Sequence, residues 1–153
     1  MDNFDTLILS QLQSNGRLSN KDLASSIQLS TAPCLRRVKQ LEKEGVIQGY
    51  KAKINPKKLG FKLLAFVQVS LHKHSTECFD IFNKEIIHFK EVQECHLMSG
   101  GDTDYLLKLL VKDMDEYNHF VMKRLSKLEI VANTSSNFVM ESIVDVNDVP
   151  IDR

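Results

Sequence analysis

The sequence of 153 residues has few cysteines, no long hydrophobic run and no net charge, since 20 basic residues balance 20 acidic ones. Cys34, Cys78 and Cys95 are far apart and form no C-x-x-C pair, which predicts reduced thiols and disfavours a disulfide framework or a zinc knuckle. No apolar run reaches the ~18 residues of a membrane span, and the N-terminus has neither a basic segment nor a hydrophobic one. We therefore expect a soluble cytoplasmic protein of one or two small domains that does not bind membranes.

The neutral total conceals two halves of opposite charge. Residues 1–60 contain ten Lys and Arg against five acids, a net charge of +5, whereas residues 61–153 contain ten against fifteen, a net charge of −5. This asymmetry indicates that the first half meets a polyanion and that the second half does not.

The basic half has the pattern of three short helices. Apolar residues recur at helical spacing from Phe4 to Leu12, and Asn15-Gly16 ends that helix. Ser19 caps a second helix over roughly 20–27, and Ser30 or Thr31 caps a third that ends at Gly45. The tight connection between the second and third helices is typical of a helix-turn-helix.

An idealised wheel divides the third helix into two faces. Its inward face comprises Leu35, Val38 and Leu41. Its outward face comprises Arg36, Arg37, Lys39 and Gln40. Such a face is also found on ordinary solvated helices, but here it lies on the helix that enters the major groove in a helix-turn-helix, so we predict binding to double-stranded DNA.

A linker and a second domain follow. Val46 to Ile54 is rich in β-forming residues, and we expect a hinge strand and linker over 46–62 between a DNA-binding domain at 1–45 and a second domain at 63–153. That domain shows strand patterns at 63–71, 91–98, 104–112 and 130–143. Helical patterns lie between them, behind Ser75 and from Asp113. The β-α-β-β-α-β order predicts a ferredoxin-like sandwich. For the whole chain we expect an α+β protein with a winged or plain helix-turn-helix at its N-terminus. The uncovered sheet face predicts a second subunit.

Two groups of residues could suggest a metal or a cofactor. His72 and His74 form an H-x-H, but no further ligand cluster lies beside them, so we expect a solvated strand face. Four methionines are expected to fill gaps in the core rather than to bind copper. They are Met98, Met114, Met122 and Met140. No cofactor is predicted.

The stretch S-G-G-D-T-D-Y over 99–105 has three possible roles. A phosphate cradle is disfavoured because a strand, not a helix, follows the glycines. A metal-dependent enzyme would need more ligands beside the D-x-D, and the flanking strands offer only Glu94 and His96. A turn that binds another kind of ligand remains.

Three runs resemble the leucine-responsive regulatory protein (Lrp/AsnC) family of transcription regulators. They are L-S-T-A-P-C-L-R-R-V-K-Q-L-E-K-E-G-V-I-Q-G-Y at 29–50, V-Q-E-C-H-L at 92–97 and D-Y-L-L-K at 104–108. The resemblance implies a DNA-binding domain, a hinge strand and a ligand-sensing domain. It also implies homodimers that pair through their sheets, often four dimers in a ring, and a small effector, usually an amino acid, held between dimers.

The resemblance assigns residues to both sites. The groove-reading positions match Ser30, Thr31, Ala32, Pro33, Arg36, Arg37 and Lys39, to which the wheel adds Gln40. The effector loop comprises Ser99, Gly100, Gly101, Asp102, Thr103, Asp104 and Tyr105. Polar residues of the last strand that often contribute from the facing subunit match Thr134, Ser135 and Ser136. As a hypothesis, free backbone N–H groups of the turn bind the carboxylate of the amino acid, and Asp102 or Asp104 accepts from its ammonium. The alternative function is an architectural DNA-binding protein of the same fold that has no ligand.

Overall fold

The computed structural model describes residues 1–145 and 148–151. The chain divides into two compact units, an N-terminal unit of residues 1–53 with the described residues from 144 onward, and a C-terminal unit of residues 54–143. Within the described ranges, the helices are too short and too polar to cross a bilayer. The helices are α1 Asn3–Ser14, α2 Asn20–Ser26, α3 Thr31–Lys43, α4 Thr76–Ile86 and α5 Met114–Lys123, with 3-10 turns at Pro56–Leu59 and Leu125–Lys127. The strands are β1 Leu63–Leu71, β2 Val92–Leu97, β3 Tyr105–Val111 and β4 Val131–Phe138.

The N-terminal unit is a three-helix domain in which the start of each helix follows from its sequence. Asp2 and Asp5 form a reciprocal capping box at α1, and the Ser19 side chain accepts a hydrogen bond from Asp22 N at α2. The helices enclose a small core formed by Ile8, Leu23, Ala24, Ile27, Cys34 and Leu41. The three predicted helices are therefore confirmed.

Two expectations for this unit are wrong. Leu35 is 42% exposed and does not lie on the buried face of α3, which is formed instead by Cys34, Leu41 and the partly buried Val38. No strand forms between Lys43 and Pro56 in the described chain, although Val46–Ile54 is rich in β-forming residues. A strand pattern alone does not make a strand, because its backbone groups need a neighbouring strand with which to pair.

Part of the C-terminal tail packs with the N-terminal unit. The side-chain amide of Gln13 donates to Val149 O (3.2 Å), and Val149 N donates to Gln13 Oε1 (2.7 Å). The sequence predicts a second domain over 63–153 that includes this tail, whereas the contacts of Val149 place it with the N-terminal unit.

The C-terminal unit has the predicted β-α-β-β-α-β order. Its four strands form one antiparallel sheet in the order β2-β3-β1-β4. Alternate residues of β3, from Tyr105 to Val111, are buried, as expected for a sheet with one covered face. That face packs against α4 and α5 through side chains that include Phe82, Ile86 and Phe120.

The methionines do not fill the core as predicted. Met98, Met114 and Met122 are 43%, 46% and 65% exposed, and Met140 is fully exposed. Phe120 and Leu125, both almost completely buried, take the inward positions near α5 instead. Rigid, branched or aromatic side chains thus form the packed layer, and the methionines lie at its margins.

Candidate DNA-binding helix and effector loop

The predicted DNA-contacting face of α3 is largely open to solvent. Exposed residues include Ser30, Thr31, Ala32, Arg36, Lys39 and Gln40, whereas Pro33 is partly buried. Arg36 and Lys39 form no hydrogen bond or ion pair with any described residue, so their charges are available to a ligand. Gln40 is less free, because its side-chain amide donates to Glu44 Oε1 within the helix.

Arg37 differs from the other cationic residues of α3. Its Nη1 lies 2.7 Å from Asp2 Oδ2 and 2.8 Å from Asp5 Oδ1, and its guanidinium carbon lies 5.5 Å from the centroid of the Phe4 ring. The Asp5 and Asp2 carboxylates raise the pKa of Arg37. The Asp5 backbone N–H and the Arg37 guanidinium lower the pKa of Asp2. The Arg37 side chain thus joins α1 to α3, and its Nη1 is occupied by the two carboxylates.

The predicted effector loop is the connection between β2 and β3. Gly100 and Gly101 have φ of +93° and +73°, a left-handed conformation that costs other residues free energy. Both glycines are therefore required by the turn. The backbone N–H groups of residues 99–103 make no hydrogen bond to any described residue, so the turn exposes a series of donors.

The two aspartates of the loop have different environments. Asp104 Oδ2 accepts from Leu71 N (2.7 Å), and Asp104 Oδ1 lies 3.2 Å from His74 Nε2. Its side chain is only 14% exposed. Asp102 is exposed, and its carboxylate forms no hydrogen bond with a described residue, although its carbonyl oxygen accepts from the Ser70 hydroxyl. Asp104 therefore fastens the loop to the end of β1, and Asp102 remains available.

Tyr105 is part of the core and does not line the loop surface. It is 1% exposed, its hydroxyl donates to Asn83 Oδ1 (2.9 Å), and its ring lies 4.3 Å from that of Phe82. Burial raises the pKa of the Tyr105 hydroxyl. Tyr105 thus holds the start of β3 against α4, directly after the predicted effector loop.

The polar residues of β4 point to opposite sides of the sheet. Ser135 pairs with the exposed Gln68, whereas Thr134 and Ser136 pair with buried valines of β1. The hydroxyl of Tyr117 donates to Ser136 Oγ on the helical side. Ser135 alone of the three lies on the uncovered face, because successive side chains of a strand alternate.

The described residues offer no metal centre beside the D-x-D. No three histidine, cysteine or acidic side chains converge among them. Glu94 is engaged by Lys108 at 2.7 Å and by His96 at 3.2 Å, and these hydrogen bonds lower the pKa of Glu94.

The sequence does not predict two side-chain contacts of the loop, and one of them corrects the expectation for the H-x-H, because His74 lies after the end of β1 and not on a strand face. Ser70 and His74 reach the loop from β1 and from the segment after β1, more than twenty residues earlier in the chain. The sequence carries no local signal for these contacts, because they depend on β1 lying beside β3.

Each of the two units matches the model of a known protein family. A model of the Lrp/AsnC ligand binding domain matches residues 64–149, which is more than half of the chain. The chain belongs to the Lrp/AsnC family. A model of a winged helix-turn-helix DNA-binding domain matches residues 1–48.

Similar proteins align over nearly the whole chain. The leucine-responsive regulatory protein of Haemophilus influenzae is 46% identical over 147 residues, covering 96% of this chain and 88% of that protein. The protein of the same name from Escherichia coli K12 is 42% identical, covering 99% and 92%.

Solved structures of family members have the same fold. A Neisseria meningitidis transcriptional regulator in complex with L-methionine superimposes with a TM-score of 0.93 at 36% identity, covering 98% of this chain and 96% of that one. An AsnC family regulator from Agrobacterium tumefaciens gives 0.92 at 38% identity, covering 98% and 97%. This Lrp/AsnC protein is a DNA-binding transcriptional regulator with a ligand-binding domain, and it is not an enzyme.

Proposed function

We propose that this regulator senses an amino acid at the loop of residues 98–104. The observation that carries the proposal is the coexistence of two features in one turn. Backbone N–H groups of residues 99–103 have no described partner, and the carboxylate of Asp102 is exposed and unpaired. An α-amino acid presents the complementary pair, a carboxylate and an ammonium on one carbon.

Each charged group of the amino acid has a partner in this turn. The glycine-rich backbone allows consecutive N–H groups to approach a carboxylate closely. The ammonium donates to Asp102, since Asp104 is already bonded to Leu71 N and His74. This selects Asp102 from the two aspartates that the sequence left as alternatives.

The side chain of the amino acid is proposed to be apolar. Leu97 and Met98 stand directly before the turn and are 61% and 43% exposed. Apolar surface at the mouth of a polar turn favours a ligand that is apolar at one end and charged at the other. Two related proteins bear on this, one named leucine-responsive and one a complex with L-methionine.

Calorimetric titration tests the effector. Leucine and methionine should bind, and aspartate should bind at least tenfold more weakly. Asp102→Ala should abolish detectable binding, whereas the matched variant Glu85→Ala, which removes an exposed carboxylate of α4, should bind as the wild type does. No heat with any of the twenty amino acids would instead favour an architectural DNA-binding protein.

Operator recognition is assigned to the exposed face of α3. Arg36 and Lys39 are exposed and unpaired, so either can approach phosphate or a base edge in a major groove. Arg37 is assigned the joining of α1 to α3 instead, because its Nη1 is already bound by Asp2 and Asp5.

The comparison of Arg36→Ala with Arg37→Ala tests this assignment. If Arg36 reads a base, Arg36→Ala should weaken operator binding by about 1–3 kcal/mol, with the loss concentrated at one base pair. An equal loss on random DNA, with a salt slope smaller by about 1, would make it a phosphate contact instead. Arg37→Ala should leave the salt slope unchanged and lower the melting temperature of the N-terminal unit.

The uncovered face of the sheet is proposed to join two copies of the chain. Core-facing residues alternate along β1 and β3 with partly buried apolar ones that face the other side, such as Phe66, Leu106 and Leu110. A sheet with this much apolar surface is stabilised by a cover, and a second subunit supplies an identical face. The resemblance of this chain to the Lrp/AsnC family further suggests that four such dimers assemble into a ring in the cytoplasm.

Sedimentation velocity tests the assembly. The wild type should sediment as a dimer or a multiple of dimers, and Phe66→Asp should release folded monomers. A variant that keeps the wild-type mass would show that the sheet face is not the interface.

A further inference from the structure

One side-chain contact joins the two helices of the helix-turn-helix at their starts. Asn20, the first residue of α2, donates from Nδ2 to the carbonyl oxygen of Thr31, the first residue of α3, at 2.8 Å. The two residues are eleven positions apart, so the contact spans the whole of α2 and the turn.

The orientation of this amide is determined by its surroundings. Asn20 Oδ1 is buried and has no partner among the described residues. The reverse orientation would place Oδ1 against the Thr31 carbonyl, so that two acceptors would face each other. The Nδ2 donor is therefore the group that the arrangement requires, even though an unpaired buried oxygen is unfavourable.

The start of α3 lacks the usual local restraint. Ser30 occupies the N-cap position, but its side chain forms no capping hydrogen bond. The preceding turn contains Gln28 with a φ of +56°, a conformation that is strained for a residue other than glycine. Cys34 of this turn packs in the core, and among the described residues the Asn20 amide makes the side-chain hydrogen bond from α2 to the first turn of α3.

We propose that Asn20 is a positioning residue for operator recognition, which holds the first turn of α3 at the depth and angle needed to reach base edges. The proposal rests on the role of α3 proposed above, because the N-terminal residues of the second helix of a helix-turn-helix contact the bases. Asn20 acts through Thr31 and does not itself touch DNA. Contacts to phosphates tolerate small displacements of the helix, whereas bidentate base contacts do not.

The test uses the full-length protein and an operator selected from a random DNA library. Asn20→Ala should reduce the ratio of operator affinity to random-DNA affinity by about tenfold, the size of a lost base contact. Binding to random DNA and the salt slope should be unchanged. Asn20→Asp, which turns a carboxylate toward the Thr31 carbonyl, should reduce the ratio further. The matched control Ser25→Ala, an exposed residue of α2, should leave the ratio at the wild-type value.

Several outcomes would overturn the proposal. They are an unchanged ratio in Asn20→Ala, an equal loss on operator and random DNA, and an Asp variant that matches the wild type. If circular dichroism shows that both variants are unfolded, Asn20→Gln replaces them, because it keeps the amide donor on a longer side chain and should retain most of the wild-type affinity ratio. An affinity ratio near one in Asn20→Gln would refute the role of the donor. Selection of no operator by the wild type would instead contradict the proposed function of α3. Loss of the ratio in Arg36→Ala but not in the Asn20 variants would contradict the positioning role alone.

Discussion

Replacement of Asp104 by alanine should destabilise the C-terminal unit far more than replacement of Asp102. Asp104 Oδ2 accepts a 2.7 Å hydrogen bond from Leu71 N, and Leu71 is only 5% exposed. A hydrogen bond to a charged acceptor contributes about 1.5–3 kcal/mol, and its loss leaves a buried N–H unpaired. The 3.2 Å contact to His74 adds little, roughly 0.5 kcal/mol or less, because the His74 side chain is 71% exposed. The expected loss is therefore about 2–3 kcal/mol.

Urea unfolding followed by far-ultraviolet circular dichroism measures this loss, since the chain has no tryptophan for fluorescence. A loss of this size should lower the urea midpoint by about 1 M. Asp102→Ala is the matched control, and because its carboxylate is exposed and unpaired it should change the free energy of unfolding by less than about 0.5 kcal/mol. Two variants of equal stability would refute the structural role of Asp104 and reopen it as the partner of the effector ammonium.

Three further predictions concern stability. Gln28→Gly should raise the free energy of unfolding of the N-terminal unit by about 1 kcal/mol, because the φ of +56° is strained for glutamine; a lower melting temperature would contradict this. Tyr117→Phe should lower the free energy of unfolding by about 1 kcal/mol through the lost hydroxyl bond to β4, and an unchanged urea midpoint would show that the bond contributes nothing. The pKa of Asp2 is lowered in the folded protein, so its ionised carboxylate contributes to the free energy of unfolding above the ordinary pKa of about 3.9. That contribution is lost as the pH falls through the pKa of Asp2 in the folded state. The difference in melting temperature between wild type and Asp2→Asn should therefore vanish in acid, and a difference that persists there would argue against the Asp2 ion pair with Arg37.

The fold was accessible from sequence because its signals are local. Helical spacing with Ser19 and Ser75 as caps, and the alternation in β1 and β3, depend on residues within a few positions of one another. The β-α-β-β-α-β order and the helix-turn-helix followed from these patterns, whereas the Lrp/AsnC family was indicated by the resemblance of three runs of residues. The prediction of a hinge strand was wrong, because Val46–Ile54 has the composition of a strand but no neighbouring strand in the described chain with which to pair.

The candidate sites were predicted only as far as their chemistry is local. The glycine turn and its two aspartates were identified from S-G-G-D-T-D-Y, but the sequence left open which aspartate was free. The outward face of α3 was identified as well, but Arg37 was grouped with Arg36 although Asp5 binds it from 32 residues away. An idealised wheel describes the direction of a side chain on its own helix and contains no information about which acid approaches it.

The sequence by itself determined the five helices and the four strands of the sheet, their order, the basic helix and the glycine turn, since each depends on short-range sterics, capping and periodicity. Only the tertiary structure decided which charges are free. The antiparallel pairing of β1 with β3 brings Leu71 and Ser70 to the loop, so that Asp104 is occupied and Asp102 is not. Packing of α1 against α3 likewise brings Arg37 into ion pairs with Asp2 and Asp5, whereas Arg36 stays exposed. A charged side chain binds whichever opposite charge or polar group the fold brings within about 3 Å, and that proximity is a property of the packed chain.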